Sequence, residues 1–564
     1  MHKPILPVTP STHRAKAVIL AAGIAGLFLA PQAFSQGLIP GDLLVSGSFY
    51  DAAPATIVPG TTVLAGKNAG TTVFATNDAS YPNVFNNEGA DAAFGITTPI
   101  FLQEQNTTSN AIDRVINVPT GSLVTSFSSK SELALNLSPD GQTITFMGYN
   151  APDSTIDVSN TNTPGLNDPS NPVTQSPFNA YARTIGQIDV GTGTITTTPT
   201  NAYSGNNGRA AIYANGNYYI VGNAGNSGKT PAPTATTLDA LSANSGVQML
   251  SPGATQTGNA FNTTVVGAFT NTSTGNATGD QYGFSIAQAG FAADKTGKDD
   301  NFRGETIGPD GSLYVSKGSG SNGINTVYKV SVPGGGLPTT ANASQATIGI
   351  LPGFSATAAT NGKNADGSTG TVYHPFGLWF ANATTLYVAD EGGGALTDVS
   401  NEALNTGGLQ KWSFNSGLNK WVLDYTLTNN LLTGAVITPA ANPVSGATYP
   451  TGTNAATGAP WDIYADGLRN ITGKVNADGT VTIFGVTSTV SGDTDQGADP
   501  NQVVSITDTL TDTTLTDAAS EQFNVVDGAT TGEVYRGVTV VPEPTTPLLL
   551  LAGAGLLANR RRKR

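Results

Sequence analysis

Cysteine is absent from this chain of 564 residues, and histidine is nearly so. Without cysteine there are no disulfides and no thiol chemistry, so a buried core must hold the fold together. Of the three histidines, His2 and His13 lie in an N-terminal targeting region, which leaves His374 for the body. A Ser-His-Asp triad would have to use that residue, and a body metal site with two or more histidines is excluded.

Charge is also scarce, because only 11% of the residues are charged against about 25% in ordinary globular domains. The chain has 25 Lys and Arg and 39 Asp and Glu; removing residues 1–35 and 545–564 takes away eight positive charges and no negative ones. The remaining 17 positive and 39 negative residues carry a net charge of −22. Such a surface repels nucleic acid and anionic membrane, so we expect neither as a stable partner of the body.

The N-terminus has the pattern of a secretory signal peptide. Lys3, Arg14 and Lys16 form a basic region, Ala17–Ala30 is an apolar run, and the small residues Ala33 and Ser35 stand at the cleavage positions. Cleavage after Ser35 would leave Gln36 as the first mature residue. We therefore predict residues 1–35 as a signal peptide and export through the secretion machinery.

The C-terminus combines three features in a fixed order. Pro542-Glu543-Pro544 is followed by the apolar stretch Leu548–Ala558, and the chain ends with a basic cluster made of Arg560, Arg561, Arg562, Lys563 and Arg564. As a helix the apolar stretch would be about 17 Å long, whereas a bilayer core is about 30 Å thick. The basic cluster fits retention on the cytoplasmic side. Read from these properties alone, the tail is a short membrane anchor.

The same tail resembles the PEP-CTERM sorting signal. That resemblance implies recognition and removal of residues 542–564 by an exosortase in a Gram-negative bacterium, often one that makes exopolysaccharide. It implies a protein that is anchored transiently in the inner membrane and is then released to the cell envelope or extracellular matrix. A permanent anchor remains the alternative.

Between the two ends, the pattern indicates β-structure almost throughout. Short alternating or β-branched runs surround tight turns, most clearly at Asp310-Gly311 between Arg303–Ile307 and Leu313–Ser316. Asp-Gly pairs favour type I′ hairpins, in which both central residues have positive φ. Related units begin at intervals of 67 to 94 residues, at Leu133, Arg209, Arg303, Phe376, Arg469 and Arg536, with a weaker copy at Phe94–Leu102.

These repeats favour a single β-propeller over residues 36–541, with a pair of β-sandwiches or a parallel β-helix as competitors. Arg536–Val541 lacks a partner strand, and Leu43–Ser46 matches the missing one, so we expect the two ends to share a blade and close the ring. With the shared blade and the Phe94 copy the count is seven blades, and the repeats are also compatible with six or eight. Leu386–Glu391 is similar to the strand motif of NHL-type propellers. Outside the propeller we expect an N-terminal signal helix and a C-terminal apolar helix.

Two candidate binding sites emerge. Arginine starts four of the repeats, so Arg209, Arg303, Arg469 and Arg536 are expected near one mouth of the channel, where they could bind carboxylates or acidic polysaccharide. The competing interpretation is structural: each arginine bonds blade carbonyls or a nearby carboxylate. The alternating carboxylates of Asp493, Asp495 and Asp499 suit Ca²⁺, although a solvated acidic turn is the simpler interpretation.

We predict a non-enzymatic structural or binding role, no catalytic residues and no other cofactor, in a monomer. The alternative is a secreted propeller hydrolase of the lactonase or esterase type. It would use His374 with Asp390 and Glu391, and it should gather several carboxylates around one cavity. No nucleophile elbow or phosphate-binding loop is present in the sequence.

Overall fold

The computed structural model describes residues 36–49, 61, 63–64, 73–74, 96–126, 131–155, 158–166, 180–224, 243–255, 260–270, 281–292, 298–399, 405–454, 458–492 and 499–543. Their main feature is a set of six antiparallel sheets of four strands each. The predicted signal helix and C-terminal apolar helix lie outside these residues.

The six sheets are the blades of a β-propeller, numbered from the one that contains both ends of the described chain. From inside outward, their strands are Glu533–Val540, Leu43–Phe49, Ile100–Gln105 and Ile112–Asn117 in blade 1; Asn136–Leu137, Thr143–Asn150, Ala182–Asp189 and Ile195–Thr200 in blade 2; Gly208–Ala214, Asn217–Gly222, Gly246–Leu250 and Thr264–Val266 in blade 3; Gly304–Ile307, Leu313–Lys317, Thr326–Ser331 and Thr347–Ile350 in blade 4; Pro375–Asn382, Thr385–Asp390, Gly408–Asn415 and Lys420–Leu427 in blade 5; and Tyr464–Val475, Thr480–Val490, Val503–Thr509 and Asn524–Asp527 in blade 6.

Smaller elements decorate the loops. Three two-stranded ribbons pair Val63–Leu64 with Val73–Phe74, Thr97–Thr98 with Thr125–Ser126, and Phe269–Thr270 with Gln281–Tyr282. Helical structure in the described part of the chain is limited to single turns at Val158–Asn160, Ile286–Ala289, Ala343–Gln345 and Leu396–Val399. The predicted all-β class is therefore confirmed.

Bonds between neighbouring blades show that the sheets form a ring. Hydroxyls on second strands donate to the start of the next blade, as in Ser46 Oγ to the Leu133 carbonyl (2.6 Å) and Thr145 Oγ1 to the Ala211 carbonyl (2.6 Å). Apolar side chains fill the wedges between blades; Val221 of blade 3 and Val315 of blade 4 belong to one buried cluster. Glycine allows the closest approach, since a Cβ at Gly537 would collide with the Leu133 carbonyl.

The predicted closure is confirmed. Leu43–Phe49 pairs antiparallel with Glu533–Val540, starting from Leu43 opposite Val540, and the same strand pairs on its other side with Ile100–Gln105. The count of seven is corrected to six. The Phe94 copy does not start a blade, because Ile100–Gln105 is the third strand of blade 1. A single strand carries the same local pattern wherever it lies in a blade, so sequence similarity alone miscounted it.

The prediction of type I′ turns is wrong at the Asp-Gly pairs. Positive φ occurs there at the glycine alone, for example 74° at Gly311, whereas Asn215-Gly216 has positive φ at both residues (51° and 80°). At the Asp-Gly turns the aspartate accepts a bond from the amide two residues on, as Asp310 Oδ1 does from Ser312 N at 3.0 Å. That local bond stabilises aspartate in its ordinary conformation, so glycine alone adopts the left-handed one.

Candidate functional site

The four repeat arginines occupy equivalent places on the innermost strands. Arg209 and Arg303 lie at the start of the inner strands of blades 3 and 4, and Arg469 and Arg536 lie within those of blades 6 and 1. All four are buried, with exposed fractions of 5%, 8%, 3% and 4% in that order. The repeat therefore places each arginine side chain inside the ring and not on the outer surface.

Two of these arginines converge on one hydroxyl. Arg209 Nη1 donates to Ser131 Oγ, and Arg303 Nη1 donates to the same oxygen at 2.5 Å. Ser131 lies just before blade 2, so side chains from blades 3 and 4 meet beside a third blade. Arg303 Nη2 also donates to Ser319 Oγ. A hydroxyl has no net charge, so these bonds orient the guanidinium groups without neutralising them.

Burial disfavours the charged form of both arginines, and repulsion from neighbouring guanidinium groups adds to this effect at Arg303. Burial lowers the pKa of Arg209 to about 10, although Tyr149, Glu132 and Glu391 favour its charged form. Burial also lowers the pKa of Arg303 well below its usual range, with Arg209 and Arg469 adding to the effect and Glu391 opposing it. The positive charges of three blades therefore interact in one buried region.

One carboxylate takes part in this cluster through a direct ion pair. Arg469 Nε lies 3.3 Å from Glu391 Oε2, and each side chain is 4% exposed. Glu391 follows the second strand of blade 5, so the pair joins blades 5 and 6. We call Arg209, Arg303 and Arg469, with Ser131 and Glu391, the arginine cluster. Arg536 has the equivalent position in blade 1.

Arg183 shows how a purely structural arginine is accommodated in the same fold. Its side chain is fully buried, and it donates to the carbonyls of Tyr181 (2.7 Å), Ser159 (3.0 Å), Thr161 (2.9 Å) and Asn206 (2.9 and 2.5 Å). This is the carbonyl-bonding role that the sequence offered as the competing interpretation for the repeat arginines. The repeat gave no signal for Arg183, which lies on the third strand of blade 2.

The residues expected for a hydrolase are bonded to neighbouring backbone and side-chain groups. Asp390 accepts bonds from His374 N (2.9 Å), Gly392 N (3.0 Å), Thr406 Oγ1 (3.1 Å) and Gln410 Nε2 (3.0 Å), and burial raises its pKa to about 7. His374 Nδ1 lies 3.4 Å from Thr406 Oγ1. Across the described ranges, no group of three or more His, Asp or Glu side chains could hold a metal ion.

The calcium prediction stays untested. Asp493 and Asp495 lie outside the described residues. Asp499 is buried and accepts bonds from Tyr449 Oη (2.8 Å) and Ser491 Oγ (3.1 Å).

The opposite end of the channel has a different character. A cavity of about 540 Å³ is lined there by the far ends of the innermost strands of all six blades. None of its lining residues is charged, and apolar ones such as Leu135, Ile307, Trp379 and Val540 dominate. The channel is therefore polarised, with arginines towards one end and an uncharged funnel at the other.

The chain leaves blade 1 on the funnel side and runs into the C-terminal tail. Among the residues that the structure describes, no helix is long and apolar enough to cross a membrane, and Leu548–Ala558 lies beyond them. Residues 540–564 match the model of the PEP-CTERM protein-sorting motif. No curated protein matches the chain.

Several solved structures are similar to this chain at low sequence identity. They include a Bacteroides uniformis protein with a proposed 6-phosphogluconolactonase activity (11% identity, 88% of this chain and 99% of that one, TM-score 0.31) and the soluble aldose sugar dehydrogenase of Escherichia coli (12%, 69% and 89%, 0.31). The β-propeller domain of the Trilobed protease from Pyrococcus furiosus also matches (8%, 78% and 92%, 0.25). The chain is a six-bladed β-propeller that carries a PEP-CTERM protein-sorting motif, which implies an exported substrate of an exosortase.

Proposed function

We propose that this protein is a non-enzymatic component of the cell envelope or extracellular matrix that binds acidic polysaccharide through its arginine cluster. Residues 1–35 would direct export, residues 36–541 would form the binding domain, and residues 542–564 would be removed by the exosortase. The observation that carries the proposal is the convergence of Arg209 and Arg303 on the uncharged Ser131 hydroxyl.

The chemistry supports a carboxylate ligand. Guanidinium groups form paired, charge-assisted bonds with carboxylates, and such bonds strengthen where water is excluded. Arg469 forms an ion pair with Glu391, whereas the described bonds of Arg209 and Arg303 go to serine hydroxyls. A polyuronate would add a direct carboxylate partner for these two side chains. The net charge of −22 over residues 36–544 would repel an acidic polymer elsewhere on the surface, which would confine its binding to the arginine cluster.

A binding role is favoured over hydrolysis by the state of the candidate catalytic groups. Asp390 is saturated by four donors and Glu391 is paired with Arg469, so neither is presented as a base. We expect the purified, processed protein to leave generic ester and lactone substrates unchanged. Turnover that disappears on substitution of His374 or Glu391 would contradict the non-enzymatic assignment.

The binding proposal is tested with the double variant Arg209→Gln/Arg303→Gln. Losing two charge-assisted contacts should raise the Kd for polygalacturonate by at least about tenfold. Lys363→Gln removes an exposed charge from a loop and should leave the Kd unchanged. Neutral dextran should bind none of the variants. Equal polygalacturonate affinity of the double variant and the unaltered protein would overturn the proposal.

A further inference from the structure

The start of the sorting motif is part of the folded domain. Val541 continues the ladder of blade 1: its amide donates to the Asp42 carbonyl (2.8 Å), and its own carbonyl accepts from the Gly41 amide (3.0 Å). The Val541 side chain is fully buried. The backbone is therefore held up to the residue that immediately precedes Pro542.

Pro542 and Glu543 then lie over two glycine turns. A Cβ at Gly141, in the first hairpin of blade 2, would be 3.3 Å from Pro542 Cγ and 3.6 Å from its Cβ. A Cβ at Gly41 would meet Glu543 Oε1, the end of a flexible side chain. Pro542 is half-buried and Glu543 is exposed. Both glycines have positive φ, 72° and 82°. Because neither turn carries a side chain, Pro542 and Glu543 can approach the backbone closely.

We call the surface formed by Gly41 and Gly141 the seat of the motif. Hydrogen bonds hold the N-terminal segment that contains Gly41 in place. Leu38 N donates to the Val190 carbonyl (2.8 Å) and Ile39 N to Glu104 Oε1 (2.6 Å). Arg114 bonds Glu104 and donates to the Gly37 carbonyl at 3.0 Å. The segment that becomes the mature N-terminus thus holds the residues at which the C-terminal tail begins.

The segment that connects Glu543 to the apolar stretch is short. Four residues, 544–547, separate Glu543 from the apolar stretch at Leu548, and even fully extended they span only about 14 Å. An enzyme that binds the motif must hold its backbone in a cleft. Pro542 and Glu543 cannot contact Gly41 and Gly141 and lie in that cleft at the same time. The short connection gives the enzyme little length of chain to bind while these contacts persist.

We propose that the propeller restrains the first two residues of its own sorting motif, and that the exosortase acts only after Pro542 and Glu543 detach from Gly41 and Gly141. The rate of tail removal then depends on the opening of this seat. The inference rests on exosortase processing, and it is independent of polysaccharide binding by the arginine cluster.

The seat is tested first by cross-linking in the full-length precursor. Because the chain has no cysteine, Gly141→Cys/Pro542→Cys introduces one defined pair. Its Cβ atoms would lie 3.6 Å apart, inside the range of about 3.5–4.5 Å that a disulfide requires. Mild oxidation should form this disulfide and none in Gly216→Cys/Pro542→Cys. Failure of the first pair to cross-link, or equal cross-linking of both, would overturn the seat.

The control of processing is tested with Gly41→Ala and Gly141→Ala in cells that contain the cognate exosortase. Matched controls are Gly216→Ala and Gly311→Ala, whose φ values are 80° and 74° and whose missing side chains face open space. All four alanines introduce similar backbone strain, but only the first two place a methyl group against Pro542 or Glu543. Pulse-chase should show tail removal on the order of fivefold faster for these two than for their controls, since cleavage follows the open population.

Two outcomes would overturn the control of processing. One is equal or slower tail removal in Gly41→Ala and Gly141→Ala relative to their controls. The other is retention of the tail by the unaltered protein in the same cells. Thermal melting of each variant shows whether the domain is still folded. If tail removal is equally fast in the control variants, general destabilisation explains the effect and the role of the seat is contradicted.

Discussion

At the scale of single residues, buried polar groups are tolerated where a neighbouring blade supplies their partners. Lys411 of blade 5 and Asp508 of blade 6 are both fully buried, with Nζ 2.8 Å from Oδ2. Tyr425 Oη donates to Asp508 Oδ1 at 2.5 Å, Tyr387 Oη donates to Asp508 Oδ2, and Lys411 Nζ donates to the Thr509 carbonyl at 2.6 Å. The ion pair thus joins two blades with its remaining polar atoms satisfied.

Removing one partner of this pair should be costly. Lys411→Met leaves a buried carboxylate without its cation, and we expect the free energy of unfolding to fall by about 3–5 kcal/mol. The surface pair Lys329–Asp310 is the matched control, since its atoms are 2.6 Å apart but its side chains are 35% and 42% exposed. Lys329→Met should change stability by less than about 1 kcal/mol in urea unfolding. Similar losses in the two variants would contradict the role of burial.

At the scale of strands and turns, the repeat was predictable because each unit is a local hairpin. The predicted strands around Asn215-Gly216 are found as Gly208–Ala214 and Asn217–Gly222. The position of a strand within its blade was less predictable. Ile100–Gln105 has the same alternating pattern as an inner strand, but it packs third from the channel because Leu43–Phe49 already occupies the second place.

The closing strand gives a test at this scale. A precursor truncated after Tyr535 loses Val538 and Val541, two fully buried side chains that contribute about 1.5–3 kcal/mol each. Truncation after Pro544 leaves the ladder intact, so it should prevent sorting without lowering the melting temperature. We expect the first truncation to melt well below the second. Equal melting temperatures would show that closure by Glu533–Val540 does not stabilise the ring.

At the scale of the whole molecule, several carboxyl groups are buried in the ring. Burial raises the pKa of Asp300 and Asp390 to about 7, and burial together with Asp527 raises that of Glu533 to about 8. Each group binds its proton more tightly in the folded state than in the unfolded chain. Its contribution to stability is therefore complete below pH 4 and is lost as the pH rises through about 7 to 8.

The expected consequence is a fold that is more stable in mild acid than in mild base. Between about pH 6 and pH 9 the free energy of unfolding should fall by at least about 1 kcal/mol, measured by urea denaturation. Glu533→Gln removes one of the three titrating groups and should make this dependence shallower. Constant or rising stability across this range would contradict the assignment of these protons to the folded state.

The linear sequence determined the sorting tail and the β-repeat and predicted a signal peptide, because each of these is encoded in a short, contiguous stretch. It also indicated which arginines share a position in the repeat. Only the tertiary structure decided the number of blades, the meeting of Arg209 and Arg303 at Ser131, and the seating of Glu543 on Gly41. These contacts join residues that are far apart in the chain, and they form only when the ring closes.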